Sequence, residues 1–177
     1  MMRKFSFIIA LVLSLVLSLL SGMALARGVY QKPADFIAEV FGQQAPDVSV
    51  LWLTADLQQQ IQSIVGRKLG LRLRYHLQDN RSVWILEEIG KEKPITAAFV
   101  VNNHKIEQVK VLAFRESRGW EVRYGFFTDQ FIALMLNKKN KLSQSVDNIS
   151  GATLSVRAMK KMARLALFLH RHITTKP

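Results

Sequence analysis

From Leu71 the chain alternates, with Leu71, Leu73, Tyr75 and Leu77 apolar and Arg72, Arg74 and His76 between them. A period of two marks a strand, because successive side chains point to opposite faces. Asp79-Asn80 turns the chain, so 71–78 and 82–89 predict a hairpin. Pro94 opens a third run, Ile95–Val101; Asn102-Asn103 turns it, and Ile106–Phe114 returns. A fifth strand is predicted over Trp120–Phe126, after Gly119. Around this meander the period lengthens. Leu57, Ile61, Ile64 and Val65 line one side of a stretch from Thr54 to about Lys68, a predicted helix capped by Thr54 and ended by Gly70. Between Gly28, Pro33 and Gly42, Pro46 a short peripheral helix is expected over Ala34–Phe41. Thr128-Asp129 starts another, Gln130–Leu136, before the basic loop Asn137–Lys141. The last predicted helix runs from about Leu154 to His170, with Val156, Met159, Ala163, Ala166 and Leu169 toward the core and Arg157, Lys160, Lys161 and Arg164 opposite. The pattern is α+β: an antiparallel β-sheet of about five strands packed with flanking helices, in a single domain. No internal repeat is present.

Ahead of these elements, Arg3 and Lys4 precede an uncharged Leu/Val/Ile-rich run, Phe5–Leu20, then Ser21-Gly22 and Ala24-Leu25-Ala26. Small residues at Ala24 and Ala26 suit signal peptidase, so residues 1–26 read as a signal peptide cleaved before Arg27. The alternative is an uncleaved anchor, since Phe5–Ala26 carries no charge and has the length of a membrane span. The expected location is periplasmic, or anchored in the inner membrane facing the periplasm. Either way a role on nucleic acid is not expected. The organisation that follows is 1–26 signal peptide, 27–93 an N-terminal helix and hairpin segment packed on the domain, and 94–177 the core with the C-terminal helix.

Composition removes several kinds of chemistry. The sequence of 177 residues contains no cysteine, which excludes disulfides, thiolate metal sites, thiol nucleophiles and haem attached through CxxCH. The formal charge of +12 favours anionic partners without choosing among them. No GxSxG, phosphate-binding loop or GxGxxG occurs, so hydrolase, NTPase and dinucleotide readings lack a motif. His170 and His172 fall on different faces of the last helix and read as a solvated helix end, and no metal site is expected. Glu87 and Glu88 point to opposite strand faces, which excludes an acid/base pair; they read as a solvated position and a turn-side charge. No catalytic residue is assigned. Lys138, Lys139 and Lys141, with the cationic side of the last helix, leave open a face that docks an acidic redox partner or steers a phosphate, or a solvated surface.

The most informative stretch is Asp147-Asn148-Ile149-Ser150-Gly151-Ala152-Thr153-Leu154-Ser155, just before the last helix. Small residues at Gly151 and Ala152 allow close approach to the backbone, and the helix start beyond them offers N–H groups and the positive end of a dipole, a setting suited to phosphate. A turn with Thr153 or Ser155 as a simple cap is the other reading of the same residues. The run resembles the flavinylation motif of the FMN-binding domain family, found in the C subunit of the sodium-translocating NADH:quinone reductase and the G subunit of the Rnf complex. That motif is Asp, two variable positions, Ser or Thr, Gly, Ala, then Thr or Ser; Asp147, Ser150, Gly151, Ala152 and Thr153 fill it. The similarity spans about Pro94 to Ala166. Where the family often reads Glu-Thr-Pro-Gly-Leu-Gly, this chain has Glu116-Ser117-Arg118-Gly119-Trp120-Glu121, so Glu116 and Gly119 match. Val156 stands where a hydroxyl residue is common.

The resemblance implies covalent FMN, joined by a phosphoester to Thr153 by an exported flavin transferase that reads Asp147 as part of the motif. Ser150, Gly151, Ala152, Leu154, Ser155, Glu116, Gly119 and Trp120 are the other expected cofactor-binding residues, with Tyr124, Phe126 and Phe127 as candidate neighbours of the flavin ring. It further implies an electron-transfer flavoprotein, rather than a stand-alone enzyme, working between a membrane-bound or periplasmic redox partner and an acceptor outside the cytoplasm. The alternatives are a module that binds flavin or another anionic ligand noncovalently, and a membrane-surface protein. The mature protein is expected to begin at Arg27; N-terminal sequencing that finds Met1 retained in the membrane fraction would establish the anchor instead.

Overall fold

The computed structural model describes residues 28–175; the predicted signal peptide lies outside them. Its sheet has five antiparallel strands, β1 (Val48–Trp52), β2 (Arg72–Gln78), β3 (Arg81–Ile89), β4 (Pro94–Asn102) and β5 (Lys105–Phe114), in the order β1-β2-β3-β4-β5. Together with four α-helices among the described residues this is the α+β fold expected from the sequence. Ile95 through Val101 of β4 are all buried, because this strand is covered on both faces, and that is why its run is apolar at both parities.

Helix α1 (Pro33–Phe41) covers one face, seating Phe36 among Val83, Ala98, Val100 and Leu112. The other face carries α2 (Ala55–Val65) and the 22-residue α4 (Thr153–Thr174), which lies across β3 and β4 and beside α2. Met159, Ala163, Ala166 and Leu169 of α4 are fully buried there. Thr54 caps α2 as predicted, its Oγ1 accepting the Leu57 N–H at 3.3 Å, but the helix stops at Val65. Gly66, with φ of 84°, supplies the left-handed cap before the chain reaches Gly70. Among the described residues no helix is long and apolar enough to cross a membrane.

Two segments differ from expectation. The fifth strand is Val48–Trp52, not Trp120–Phe126. Residues Trp120–Arg123 form a 3-10 turn and Gly125–Thr128 the short helix α3, followed by a second 3-10 turn at Asp129–Phe131. The alternation of Trp120, Val122, Tyr124 and Phe126 is misleading there: the buried anchors are Val122, Phe127 and Phe131, spaced as in helical turns, while Trp120, Tyr124 and Phe126 face out. The predicted helix Gln130–Leu136 is likewise absent, since Ile132 is extended and Ala133 takes a φ of 63°.

The charged and polar side chains of α4 are tied down. Lys161 Nζ lies 3.3 Å from Glu88 Oε1, and Arg67 reaches the other oxygen at 3.2 Å. Glu88 is therefore a buried, doubly paired carboxylate and not a solvated turn charge. Lys160 donates to Asn148, and Arg164 Nε donates to the Asn140 carbonyl at 2.8 Å. The cationic side of the helix thus packs against the 137–148 loop over much of its length, with Arg157 left exposed. His170 overturns the solvated-end reading: it has no exposed surface. The backbone N–H of His104 donates to its Nε2 at 3.3 Å, which leaves the ring proton on Nδ1, facing Ser82 Oγ at 2.8 Å. Trp84 Nε1 donates to the same oxygen at 2.9 Å.

Burial, helped by His104, lowers the His170 pKa from 6.5 to about 4, so the ring is neutral near pH 7. The unfolded chain takes up this proton first. The contribution is complete above about pH 6.5 and is lost as pH falls from there through about 4, at roughly 1.4 kcal/mol for each unit of separation. Urea unfolding across that window should show the decline. His170→Gln should be less stable at pH 7 and show a flatter profile; an unchanged slope in the variant would remove His170 as its source.

Candidate functional site

Gly151 has a φ of 79°, and nothing lies within 4 Å of where its Cβ would stand. This left-handed residue swings the chain into α4, with the Ala152 N–H closing the turn onto the Ile149 carbonyl at 3.0 Å. Ala152 is the N-cap, and no side chain caps the helix, so neither Thr153 nor Ser155 takes the simple capping role. The first intrahelical bond is from the Val156 N–H to the Ala152 carbonyl at 2.9 Å. The N–H groups of Thr153, Leu154 and Ser155 therefore precede the ladder, at the positive end of a long helix with no acidic residue in its first turn. Thr153 is exposed at the first helical position.

A cavity of about 340 Å³ opens at this helix start, lined by Gly151 to Ser155 on one side and by Lys91, Glu116, Ser117 and Arg118 on the other. Gly119 brings the two sides together. Its φ is 83°, and a Cβ there would stand 2.6 Å from Ser155 Oγ and 3.3 Å from Ala152 Cβ, so only glycine lets this loop lie against the helix start. Glu116 fixes the rest. Its Oε1 accepts the backbone N–H groups of Lys91, Glu92 and Lys93 at 2.5, 2.6 and 2.8 Å, which holds the β3–β4 turn over the cavity with Lys91 in its wall. Burial alone would raise the Glu116 pKa, but the three donors outweigh it and hold the carboxyl below its ordinary value.

A second cavity, of about 480 Å³, adjoins the first through Glu116 and is lined also by Gly28, Tyr30, Lys93, Phe114, Arg115 and Trp120. The Arg123 guanidinium sits 4.6, 5.2 and 4.8 Å from the ring centres of Tyr30, Trp120 and Tyr124. It also donates to the Tyr124 hydroxyl at 2.8 Å. One cation thus organises three partly exposed aromatics at the cavity edge.

Of the residues singled out in the sequence, Glu116, Gly151, Ala152, Thr153, Leu154 and Ser155 converge on the first cavity, with Gly119 packed behind it. Trp120 lines the second. Ser150 and Asp147 are exposed and line neither; the Asp147 N–H donates to Gln130 Oε1 at 2.7 Å. Tyr124 and Phe126 are exposed outside both linings. Phe127 is fully buried against Phe131, with ring centres 5.4 Å apart, and belongs to the core, not to a flavin contact. Lys91, Lys93, Arg115 and Tyr30 were not expected at the site. The Lys91-Glu92-Lys93 run is distant in sequence from the motif, and the Glu116 carboxylate holds it at the cavity.

No curated protein and no solved structure matches the chain. The family model described as FMN-binding domain matches residues 90–167, a stretch that starts at the β3–β4 turn and ends inside α4, so it takes in the Glu116 loop and the Thr153 helix start together. Residues 90–167 thus match an FMN-binding domain, which supports a flavin-binding protein.

Proposed function

We propose that the chain is an exported, periplasmic flavoprotein that carries FMN covalently on the Thr153 hydroxyl and relays electrons between a membrane reductase system and an acceptor outside the cytoplasm. One observation carries the reading: Thr153 is an exposed hydroxyl residue at the uncapped start of α4, in a cavity whose opposite wall presents Lys91 and Arg118. In the attachment step a bond forms between Thr153 Oγ and the flavin phosphorus. The bond from that phosphorus to the donor's leaving group breaks, with its electron pair going to the leaving group. The hydroxyl proton passes to a base of the flavin transferase or to water.

The residues present fit such a group. A phosphoester keeps a negative charge, and the first-turn N–H groups, the helix dipole, Lys91 and Arg118 offset it. Glu116, although anionic, is occupied by three backbone donors. Gly151 leaves space beside the acceptor, and Trp120 offers a partly exposed aromatic face in the adjoining cavity. When bound, FMN supplies one- and two-electron transfer, while the protein orients it and sets its surroundings. Outside the cytoplasm, where no pool restores a lost flavin, a covalent bond prevents loss. The partners of this reading are the flavin transferase and a membrane-bound or periplasmic redox protein, and anchoring in the inner membrane is its alternative location.

Co-expression with a flavin transferase should give flavin fluorescence that survives denaturing electrophoresis. Thr153→Ala should abolish it while the protein still folds, because removing this side chain costs no more than ~1 kcal/mol at a helix start; Thr153→Ser should retain part. Peptide mapping that places flavin on Ser150 or Ser155 would sink the assignment, and yellow protein that bleaches on denaturation would point to noncovalent binding.

Gly119→Ala tests the cavity itself. With its Cβ driven against Ser155 at a left-handed φ, it should lower the unfolding midpoint and cut the flavinylated fraction several-fold, whereas Ser145→Ala, exposed and outside both cavities, should change neither.

A further inference from the structure

The two edges of the sheet are treated differently. Along β5, the Tyr30 N–H bonds the Leu112 carbonyl, the Phe114 N–H bonds the Gly28 carbonyl, and Ala133 and Leu134 exchange bonds with Ile106, so that edge is covered. Strand β1, Val48-Ser49-Val50-Leu51-Trp52, pairs with β2 on one side only and has no backbone partner on the other among the described residues. It carries no charged residue and no proline, the devices by which edge strands ordinarily avoid pairing.

Register shows which groups are free. The Leu53 N–H bonds the Leu71 carbonyl on the β2 side, so by alternation Ser49 and Leu51 also face β2. The N–H and C=O groups of Val48, Val50 and Trp52 point outward. The side chains of these three residues are 52%, 40% and 61% exposed, on the sheet face that α1 leaves open beyond β3. Beside them lies a groove of about 650 Å³ lined by Val48, Pro33, Ile37, Val83, Ile85 and β2 side chains including Arg72 and Arg74.

We infer that β1 is a homodimer edge, pairing antiparallel with β1 of a second copy about a two-fold axis through Val50. That register sets Val50 against Val50, and Val48 against Trp52 of the second copy, so all the outward N–H and C=O groups find partners and apolar meets apolar throughout. The indole of the second copy's Trp52 arrives beside Val48, where the groove begins. The β2 backbones of the two copies lie about 14 Å apart across both β1 strands, and each Arg72 folds over its own Trp52, the guanidinium 5.7 Å from the ring centre. The second copy is the favoured occupant because the pairing needs a strand with an uncharged apolar row at alternate positions, and β1 itself supplies one in Val48, Val50 and Trp52. A pairing of five residues with one Trp per copy is at the small end of specific interfaces, so the dimer belongs in the micromolar range.

Sedimentation equilibrium of the purified protein from ~1 to ~300 μM should show mass rising from one chain toward two. Val50→Lys should raise the dissociation constant at least ~10-fold by placing two ammonium groups on the axis. Val50→Thr, an uncharged strand former, should dimerise within a few-fold of the parent, and circular dichroism confirms that both fold. The cysteine-free sequence allows a second readout. Val50→Cys, treated with diamide as the two-electron oxidant, should form a disulfide-linked dimer, because antiparallel hydrogen-bonded positions lie about 5.5 Å apart at Cα, within disulfide reach. Ser145→Cys, exposed in a loop, should cross-link at least ~10-fold more slowly. A monomer throughout the range, an undiminished dimer in Val50→Lys, or equal cross-linking of the two thiols would overturn the inference. So would a monomer that binds phosphatidylglycerol vesicles through Trp52, lost in Trp52→Glu, which would assign the face to a lipid surface.

Discussion

Twelve of the 22 residues of α4 are buried, so the helix has almost no freedom to slide or turn on the sheet, and that restriction places the Thr153 end. The far end is pinned by His170, enclosed with Ser82, Trp84 and the His104 backbone. Near the middle, Lys161 joins the buried Glu88. The near end meets Gly119, where even a methyl group has no room. An interior packed at crystal-like density transmits position well, so a helix held along its length delivers its first turn to a fixed point. Thr153 inherits its position from a core many residues away.

The site also separates its charges in an ordered way. Four cations, Lys91, Lys93, Arg115 and Arg118, stand round the two cavities, while Glu116 gives its Oε1 to the backbone. A carboxylate would ordinarily repel an anion entering such a cavity; with three donors on one oxygen this one acts as structural glue instead. Arg123 performs the matching task on the aromatic side, where its cation gathers Tyr30, Trp120 and Tyr124 into one cluster.

How much of this was legible depended on the kind of signal each residue carried. Strands β2 to β5 and α4 announced themselves by periodicity, and the motif from Asp147 to Thr153 marked the helix start by the types of residue it requires. Strand β1 was hidden because its outward row, Val48, Val50 and Trp52, is apolar where an edge is ordinarily polar, so no alternation is visible. The Trp120–Phe126 stretch deceived in the opposite sense: its aromatics alternate, yet Gly119 and Gly125 break the backbone and the buried anchors follow a turn spacing. His170 could not be read because what buries it, Ser82 and the 103–104 turn, is remote in sequence. Lys91 was invisible for the same reason. Local pattern specifies elements; which loops meet is decided by a few bonds between distant residues.

The strap formed by Gly28 to Gln31 along β5 has a consequence for what constitutes the smallest working unit. Gly28 and Tyr30 form part of the wall of the second cavity, and a Cβ on Gly28 would stand 2.1 Å from the Phe114 carbonyl oxygen. The stretch that matches the family, 90–167, contains neither, and it also lacks β1, β2 and β3, the last of which packs against α4. Excised alone it would lose one wall of the second cavity and three of the five strands. The motif and the scaffold are therefore not separable parts: the segment before residue 90 closes the second cavity from the other side.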